Sequence, residues 1–167
     1  MKLLIVRHGP AGNREEWEAE GRDDSLRPLT PKGKKEVRRA AAGIVLLVPA
    51  LEILATSPWT RAAQTAEIVA REYGCPIEEV EQLTAEHHPE DLMPWLRDQQ
   101  QRDAVAVVGH EPHLGQLVGY LLTGQRASFI NLKKGGACLL EIETGGKPAT
   151  GTLQWLLTDR ELRRAGE

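Results

Sequence analysis

The stretch Leu3-Leu4-Ile5-Val6-Arg7-His8-Gly9 decides how the rest of the chain is read. Leu3 to Val6 is a short apolar run with a β-branched end, the mark of a buried strand. It delivers a guanidinium and an imidazole at the strand's mouth. That pair suits a phosphoryl group: His can act as a covalent nucleophile, and Arg can clamp phosphate oxygens bidentately. Taken alone, the triplet reads better as a strand turning polar where it meets solvent. Two further segments of the same design reverse that. Leu51–Ala55 delivers Thr56, Ser57 and, one turn into the following helix, Arg61. Ala104–Val108 delivers Gly109 and His110.

Working outward, residues 9–29 read as a long polar loop containing Glu15, Glu16, Glu18, Glu20, Asp23 and Asp24. Thr30-Pro31 is an N-cap with proline at the first helical position, and the helix runs to about Val48 before Pro49. Leu51–Thr56 is a second strand. Ser57-Pro58 repeats the cap-plus-proline signal for a helix reaching about Tyr73 and ending at Gly74. Pro76–Glu81 is a weak strand, Pro89–Gln101 a helix, and Ala104–Val108 a clear strand. A helix from Pro112 to about Leu122 ends at Gly124. Ala137–Glu143 and Thr152–Leu157 are late strands separated by the turn-rich Thr144–Gly151. Strands alternating with helices predict an α/β fold, a three-layer α/β/α sandwich on a mostly parallel sheet. The two consecutive late strands predict an antiparallel edge strand.

In open α/β sheets ligands bind outside the carboxyl ends of the strands. If the three strands are parallel neighbours, Arg7, His8, Arg61 and His110 meet in one pocket. The helices beginning near Pro58 and Pro112 aim their N-termini there as well, adding free N–H groups and partial positive charge. The expected chemistry is in-line attack by His8 on phosphorus, with Arg7, Arg61 and His110 holding the equatorial oxygens, followed by release to water. An attacking imidazole must be neutral, and flanking guanidiniums disfavour its protonation. Gly9 is expected to let the backbone approach the bound group closely.

The chain has 167 residues, enough for one domain over 1–167 with one substantial, mainly aliphatic core, since aromatics are 4%. Its net charge of −3 offers no basic field for nucleic acid. The longest apolar stretch, Ile44 to Val48, is far too short for a membrane span. Met1-Lys2-Leu3 opens straight into a strand with no signal-peptide layout, so a cytoplasmic protein is the default expectation. Cys75 and Cys138 are too few for a disulfide framework or a cysteine-rich zinc site.

With these residues in view, the chain resembles the histidine phosphatase superfamily, of phosphoglycerate-mutase-like fold. The likeness rests on Arg7-His8-Gly9 after the first strand, Ser57-Pro58-Trp59-Thr60-Arg61-Ala62-Ala63-Gln64-Thr65-Ala66, and Gly109-His110 after a late strand. Arg27-Pro28-Leu29-Thr30-Pro31-Lys32-Gly33 and Val108-Gly109-His110-Glu111-Pro112 look most like the small bacterial phosphohistidine phosphatases. The resemblance implies His8 as nucleophile and Arg7, Arg61 and His110 as the phosphate pocket, with Gly9, Ser57, Gly109 and Arg27 touching substrate. It implies no metal and no cofactor, and a phosphorylated protein substrate, a histidine-containing phosphotransfer domain, met by a monomer. Larger members carry a glutamate general acid on an inserted segment. Here Gln82 stands near that position and Glu86 is a displaced candidate. A weak or missing acid favours phosphohistidine, whose imidazole leaves more readily than an alkoxide. The acidic residues 15–24 point the same way, since they repel small anions and not a basic protein surface. A broad small-molecule phosphomonoesterase and a non-catalytic phosphohistidine-binding module are the rivals. A mutase fits less well, because it needs a second anion cradle and a lid.

Other features have plainer readings. His110-Glu111-Pro112-His113 lacks the spacing of a zinc protease. His113 reads as an exposed helix residue or a neighbour of the pocket, and His87 and His88 as unliganded. Lys32, Lys34, Lys35, Arg38 and Arg39, like Lys133-Lys134, read as solvated faces. Trp17, Trp95 and Trp155 read as packing, and Trp59 as the pocket's edge. Gly145-Gly146-Lys147 reads as a turn, because Pro148 follows where a phosphate loop needs Ser or Thr.

Overall fold

A computed structural model describes every residue except Thr144 and Gly146. The expected turn over 144–151 and the triplet 145–147 therefore lie partly outside the described residues. Six strands form one sheet: β1 (Lys2–Arg7), β2 (Ile53–Thr56), β3 (Ile77–Glu79), β4 (Ala104–Gly109), β5 (Ala137–Glu141) and β6 (Thr152–Leu157), ordered β3-β2-β4-β1-β5-β6. The first four in that order are parallel. The antiparallel part is one edge, where β5 runs against β1 and β6 against β5.

Alternation along β1 explains the layers, because successive strand residues face opposite sides. Leu3 and Ile5 join Val105, Val107 and Leu117 in one core. Leu4 and Val6 join Ala106, Val108 and Leu54 in the other. The first core is closed by α4 (Met93–Asp98) and α5 (His113–Thr123). The second is closed by α2 (Pro31–Leu47), α3 (Thr60–Tyr73) and α6 (Asp159–Ala165). Among the described residues no helix is long and apolar enough to cross a membrane.

Local chemistry sets the helix ends. Thr30 Oγ1 accepts from the Gly33 N–H at 2.9 Å, with Pro31 opening α2. Gly74 and Gly124 end α3 and α5 in the left-handed region, at φ 63° and 79°. The expected helix over 89–101 is split into a 3₁₀ turn (Pro89–Leu92) and α4, because Pro94 lacks an N–H and fits only a first helical turn. Residues 9–29 are not an unstructured loop. They contain α1 (Arg14–Ala19), capped by Asn13, and a 3₁₀ turn over Asp24–Leu26. A bridge between Ala11 and Leu29 closes the segment, and the Trp17 indole N–H donates to the Asp23 carbonyl at 2.8 Å. Helix α6 was not expected. Its signal is the capping box Thr158-Asp159-Arg160-Glu161, in which Thr158 and Glu161 satisfy each other's backbone N–H.

Candidate active site

The strand register gathers the three polar ends. Arg7 stands opposite Gly109 and Thr56 opposite Val108. The ladder continues one step further: His8 N–H donates to the Gly109 carbonyl and Ser57 N–H to the Val108 carbonyl, each at 3.0 Å. The His8 and His110 rings then lie 5.2 Å apart, and Arg61 Nε–H points at His8 Nε2 from 3.4 Å. Arg7, His8, Arg61 and His110 all line one cavity of about 580 Å³. The expected convergence is present.

Hydrogen bonding fixes which nitrogen of His8 faces the cavity chemistry. Its Nδ1 lies 2.7 Å from the Gly9 carbonyl oxygen, which can only accept. The proton therefore sits on Nδ1, and Nε2 keeps its lone pair toward Arg61. Burial pushes the His8 pKa from 6.5 down to about 3, with Arg61, Arg7 and Lys134 adding to the effect and the Gly9 hydrogen bond opposing it. Burial, more than the flanking guanidiniums, keeps this imidazole neutral. His110 is likewise held at about 3, chiefly by burial, then by His8 and Arg61. Its Nε2 pairs with Ser57 Oγ at 2.8 Å, and its Nδ1 is buried without a partner. Arg7 donates Nη1–H to the Leu132 carbonyl at 3.0 Å and leaves a buried Nε–H unpaired. Both unpaired atoms belong to residues that line the cavity, and buried polar atoms without a partner are uncommon.

Several other expectations change. A Cβ on Gly9 would collide with Val37 Cγ2, so close packing on α2 demands glycine there. Gly9 N–H donates to Thr65 Oγ1 at 3.1 Å, and Thr65 in turn donates to the Arg61 carbonyl. Gly9 thus orients His8 and ties it to Arg61's helix. Ser57 is fully buried and does not cap α3, which begins at Thr60; its hydroxyl accepts from the Trp59 N–H and holds His110. Gly109 packs beneath Leu83 and Leu114 and does not line the cavity. Arg27 lines the cavity, yet its Nε–H goes to Asp24 Oδ1 at 2.8 Å and its Nη1–H to the Gly12 carbonyl at 2.6 Å. Glu86 is exposed in the turn after Thr84, and its neighbour Ala85 lines the cavity instead. Gln82 faces a different hollow, beside Trp95. The α5 N-terminus is already served, because Glu111 Oε1 accepts from the Gly115 N–H at 2.6 Å.

His113 is not the exposed helix residue of the first reading: it is buried at 1% exposure, and it fits the second, a neighbour of the pocket, close enough to His110 to lower its pKa. Lys134 is exposed, as its reading as a solvated face has it, and it also lines the cavity near His8. Trp59 forms the expected edge, with its ring 4.8 Å from His110 and the Arg61 guanidinium 5.0 Å above it. Among the acidic residues of 15–24, Asp24 alone lines the cavity. Its backbone oxygen accepts from Arg61 Nη1 at 2.8 Å and its Oδ2 from Arg61 Nη2 at 3.1 Å. Burial pushes its carboxyl up, but Arg27, Arg61 and Arg14 outweigh that and hold it below the usual carboxylate range. Glu111, the cavity's other carboxyl, is pushed up by burial, against the Gly115 N–H and Arg7. Among the described residues no group of three or more His, Cys, Asp or Glu is set to hold a metal ion.

A neutral, buried imidazole beside two guanidiniums, at the carboxyl ends of a mostly parallel sheet, marks an α/β enzyme of phosphoryl transfer. A family model for the histidine phosphatase superfamily, branch 1, matches residues 3–92. The chain belongs to that superfamily and is a phosphatase of its kind. It is 36% identical to an uncharacterized protein of Picosynechococcus sp. (strain ATCC 27264 / PCC 7002 / PR-6) over 139 residues, 81% of this chain and 82% of that one. It is 28% identical to the phosphohistidine phosphatase SixA of Escherichia coli (strain K12) over 169 residues, 99% of this chain and 98% of the relative. The structure of the protein histidine phosphatase SixA complexed with tungstate superimposes with a TM-score of 0.83 at 26% identity, covering 97% of this chain and 99% of that one.

Proposed function

We propose that this protein removes the phosphoryl group from phosphohistidine on a signalling phosphotransfer protein, through a covalent intermediate on His8. The observation that carries the reading is the His8 ring, with Nδ1 engaged by Gly9 and an unprotonated Nε2 turned toward Arg61. In the first step Nε2 attacks phosphorus in line, the new N–P bond forms and the bond to the leaving imidazole nitrogen breaks. In the second, water attacks phosphorus, the N–P bond to His8 breaks and inorganic phosphate departs. Arg7, Arg61 and His110 hold the equatorial oxygens, where charge is spread. Their shared place on the cavity lining supports those roles. So does the likeness to a SixA structure complexed with tungstate, a tetrahedral oxyanion.

Leaving-group chemistry supports the substrate class. Glu86 is exposed and off the cavity lining. Asp24 is held ionised by its arginines, and Glu111, the cavity carboxyl that burial pushes up, has Oε1 fixed on the Gly115 N–H. An alkoxide leaving group needs a strong proton donor. An N-phosphorylated imidazole that is protonated on its other nitrogen leaves as a neutral ring without one. The reading calls for no cofactor, metal, nucleic acid or membrane, and for a single copy of the chain working in the cytoplasm.

The test is trapping of labelled phosphate by an alkaline denaturing quench, in which the N–P bond survives, on wild type and His8→Ala, beside turnover of a phosphohistidine protein, an aryl phosphate and an alkyl phosphate. Wild type should trap label and His8→Ala none, with turnover reduced by at least about 10⁴-fold. Phosphohistidine should be hydrolysed well and the alkyl phosphate poorly. Equal rates on the two substrates would overturn the substrate class and leave a broad phosphomonoesterase. Absence of label in wild type would leave a binding module.

A further inference from the structure

The 9–29 segment contributes one acidic side chain, Asp24, to the cavity that holds Arg7, His8, Arg61 and His110, which calls for a reason. Asp24 holds both amino ends of the Arg61 guanidinium: Nη1–H on its backbone oxygen at 2.8 Å and Nη2–H on Oδ2 at 3.1 Å. The flat face of the same guanidinium lies over Trp59 at 5.0 Å. Held on two edges and one face, Arg61 has its Nε–H directed at His8 Nε2. The second carboxylate oxygen, Oδ1, accepts Arg27 Nε–H at 2.8 Å, and Arg27 is anchored to the Gly12 carbonyl. Arg61 and Arg27 side chains are 6% and 9% exposed, and that of Asp24 17%. A partly exposed carboxylate paired on both sides with buried guanidiniums has little freedom to move, and removing its charge leaves two like charges facing each other.

From this arrangement we infer that Asp24 is a positioning residue for the phosphoryl-transfer step, aiming Arg61 Nε–H at the phosphorus site, with Arg27 as its brace. The inference rests on the phosphatase reading of the site. Asp24 does not donate a proton; its carboxylate is ionised and accepts throughout. Arg27, which the sequence places at the substrate, acts one step back from it. Misplacing a transition-state donor by about 1 Å can cost about 10²-fold in rate, while ground-state binding by Arg7 and His110 persists.

The experiment compares kcat and KM on an aryl phosphate for Asp24→Asn, Asp24→Glu, Arg61→Ala and the double variant Asp24→Asn/Arg61→Ala, with melting temperatures for each. Asp24→Asn and Asp24→Glu should each lower kcat about tenfold or more and change KM by less than about threefold. Asp24→Glu keeps the charge between the two guanidiniums and so stays folded, but shifts the carboxylate by one methylene. A role limited to neutralising charge predicts that it works like wild type. The double variant should be no slower than Arg61→Ala alone, because Asp24 acts only through Arg61. Wild-type kcat in folded Asp24→Glu, or penalties that multiply in the double variant, would overturn the inference while sparing the phosphatase reading. Wild-type kcat in Arg61→Ala would overturn the site assignment itself, and the role of Asp24 with it.

Discussion

Arg7, His8 and His110 stand on strand ends that the β1–β4 register sets side by side, whereas Asp24 and Arg27 reach the same cavity from a segment of caps, turns and ion pairs. The strand half is held by backbone ladders and by cores on both faces of the sheet. The segment half is held by a few side-chain contacts over distances of up to 56 residues in the chain. The reacting nitrogen is thus on the stiffer half, and the group that aims Arg61 is on the softer one. Backbone ladders resist displacement cooperatively, while a clamp of three charged groups gives way when one is lost.

Acid should expose the contrast most strongly. His8 and His110 have pKa values near 3 when folded against 6.5 when exposed, and the buried His113 is lowered as well. Below about pH 6.5 the unfolded chain binds protons that the folded one cannot, so stability should fall steadily as pH drops toward 3. Asp24 is depressed from a lower starting point, 3.8, so its contribution should be lost only below about that value. Denaturant unfolding across this range should show the first loss without the second, and His110→Gln should make the slope between about pH 6.5 and 4 shallower. A flat profile there would mean the strand-end histidines are not buried neutral.

Next in size is Arg7→Ala, which removes a preorganised donor from the strand half. Turnover should fall about 10²–10³-fold, with thermal stability nearly kept. Gly9→Ala probes packing and not phosphate contact. The new methyl must displace Val37, so unfolding should become easier by about 1–3 kcal/mol, read from chemical denaturation. If Gly9→Ala keeps its stability and loses oxyanion binding, the packing account is wrong. The smallest effect belongs to Trp17→Ala on the segment half. It removes one hydrogen bond to Asp23, next to Asp24, and should lower kcat/KM by no more than about fivefold. A larger loss would show that the segment depends on its own helix more than on Arg61 and Arg27.

Most of the strand half could be read in advance. An apolar run closed by Arg-His, another by Thr-Ser, a third by Gly-His, and proline or glycine at helix ends are local signals, because strand burial and capping are decided by neighbours in sequence. Helix α6 carries a local signal too, Thr158 and Glu161 three residues apart, but the box follows a strand without a break, which masks it. Of the segment half, Arg27 is legible only through the family resemblance, and Asp24 is not legible at all. Asp24 stands beside Asp23 and after four glutamates, and nothing local tells it from them; Lys134 stands beside Lys133 in the same way. The difference between such neighbours is which way each side chain points once the chain has turned, and that depends on Arg61 and His8 being already in place.

Composition, strand endings and caps were enough to define an α/β sheet with two imidazoles and two guanidiniums at its carboxyl ends, because each of those features is set within a few residues. Only the folded chain decided that burial keeps His8 neutral, that Gly9 serves Val37, and that a carboxylate from the 9–29 segment clamps Arg61. Desolvation, steric contact and ion pairing act through space, and their partners here are separated by 28 to 53 residues of chain: Val37 from Gly9, Arg61 from Asp24, Arg61 from His8.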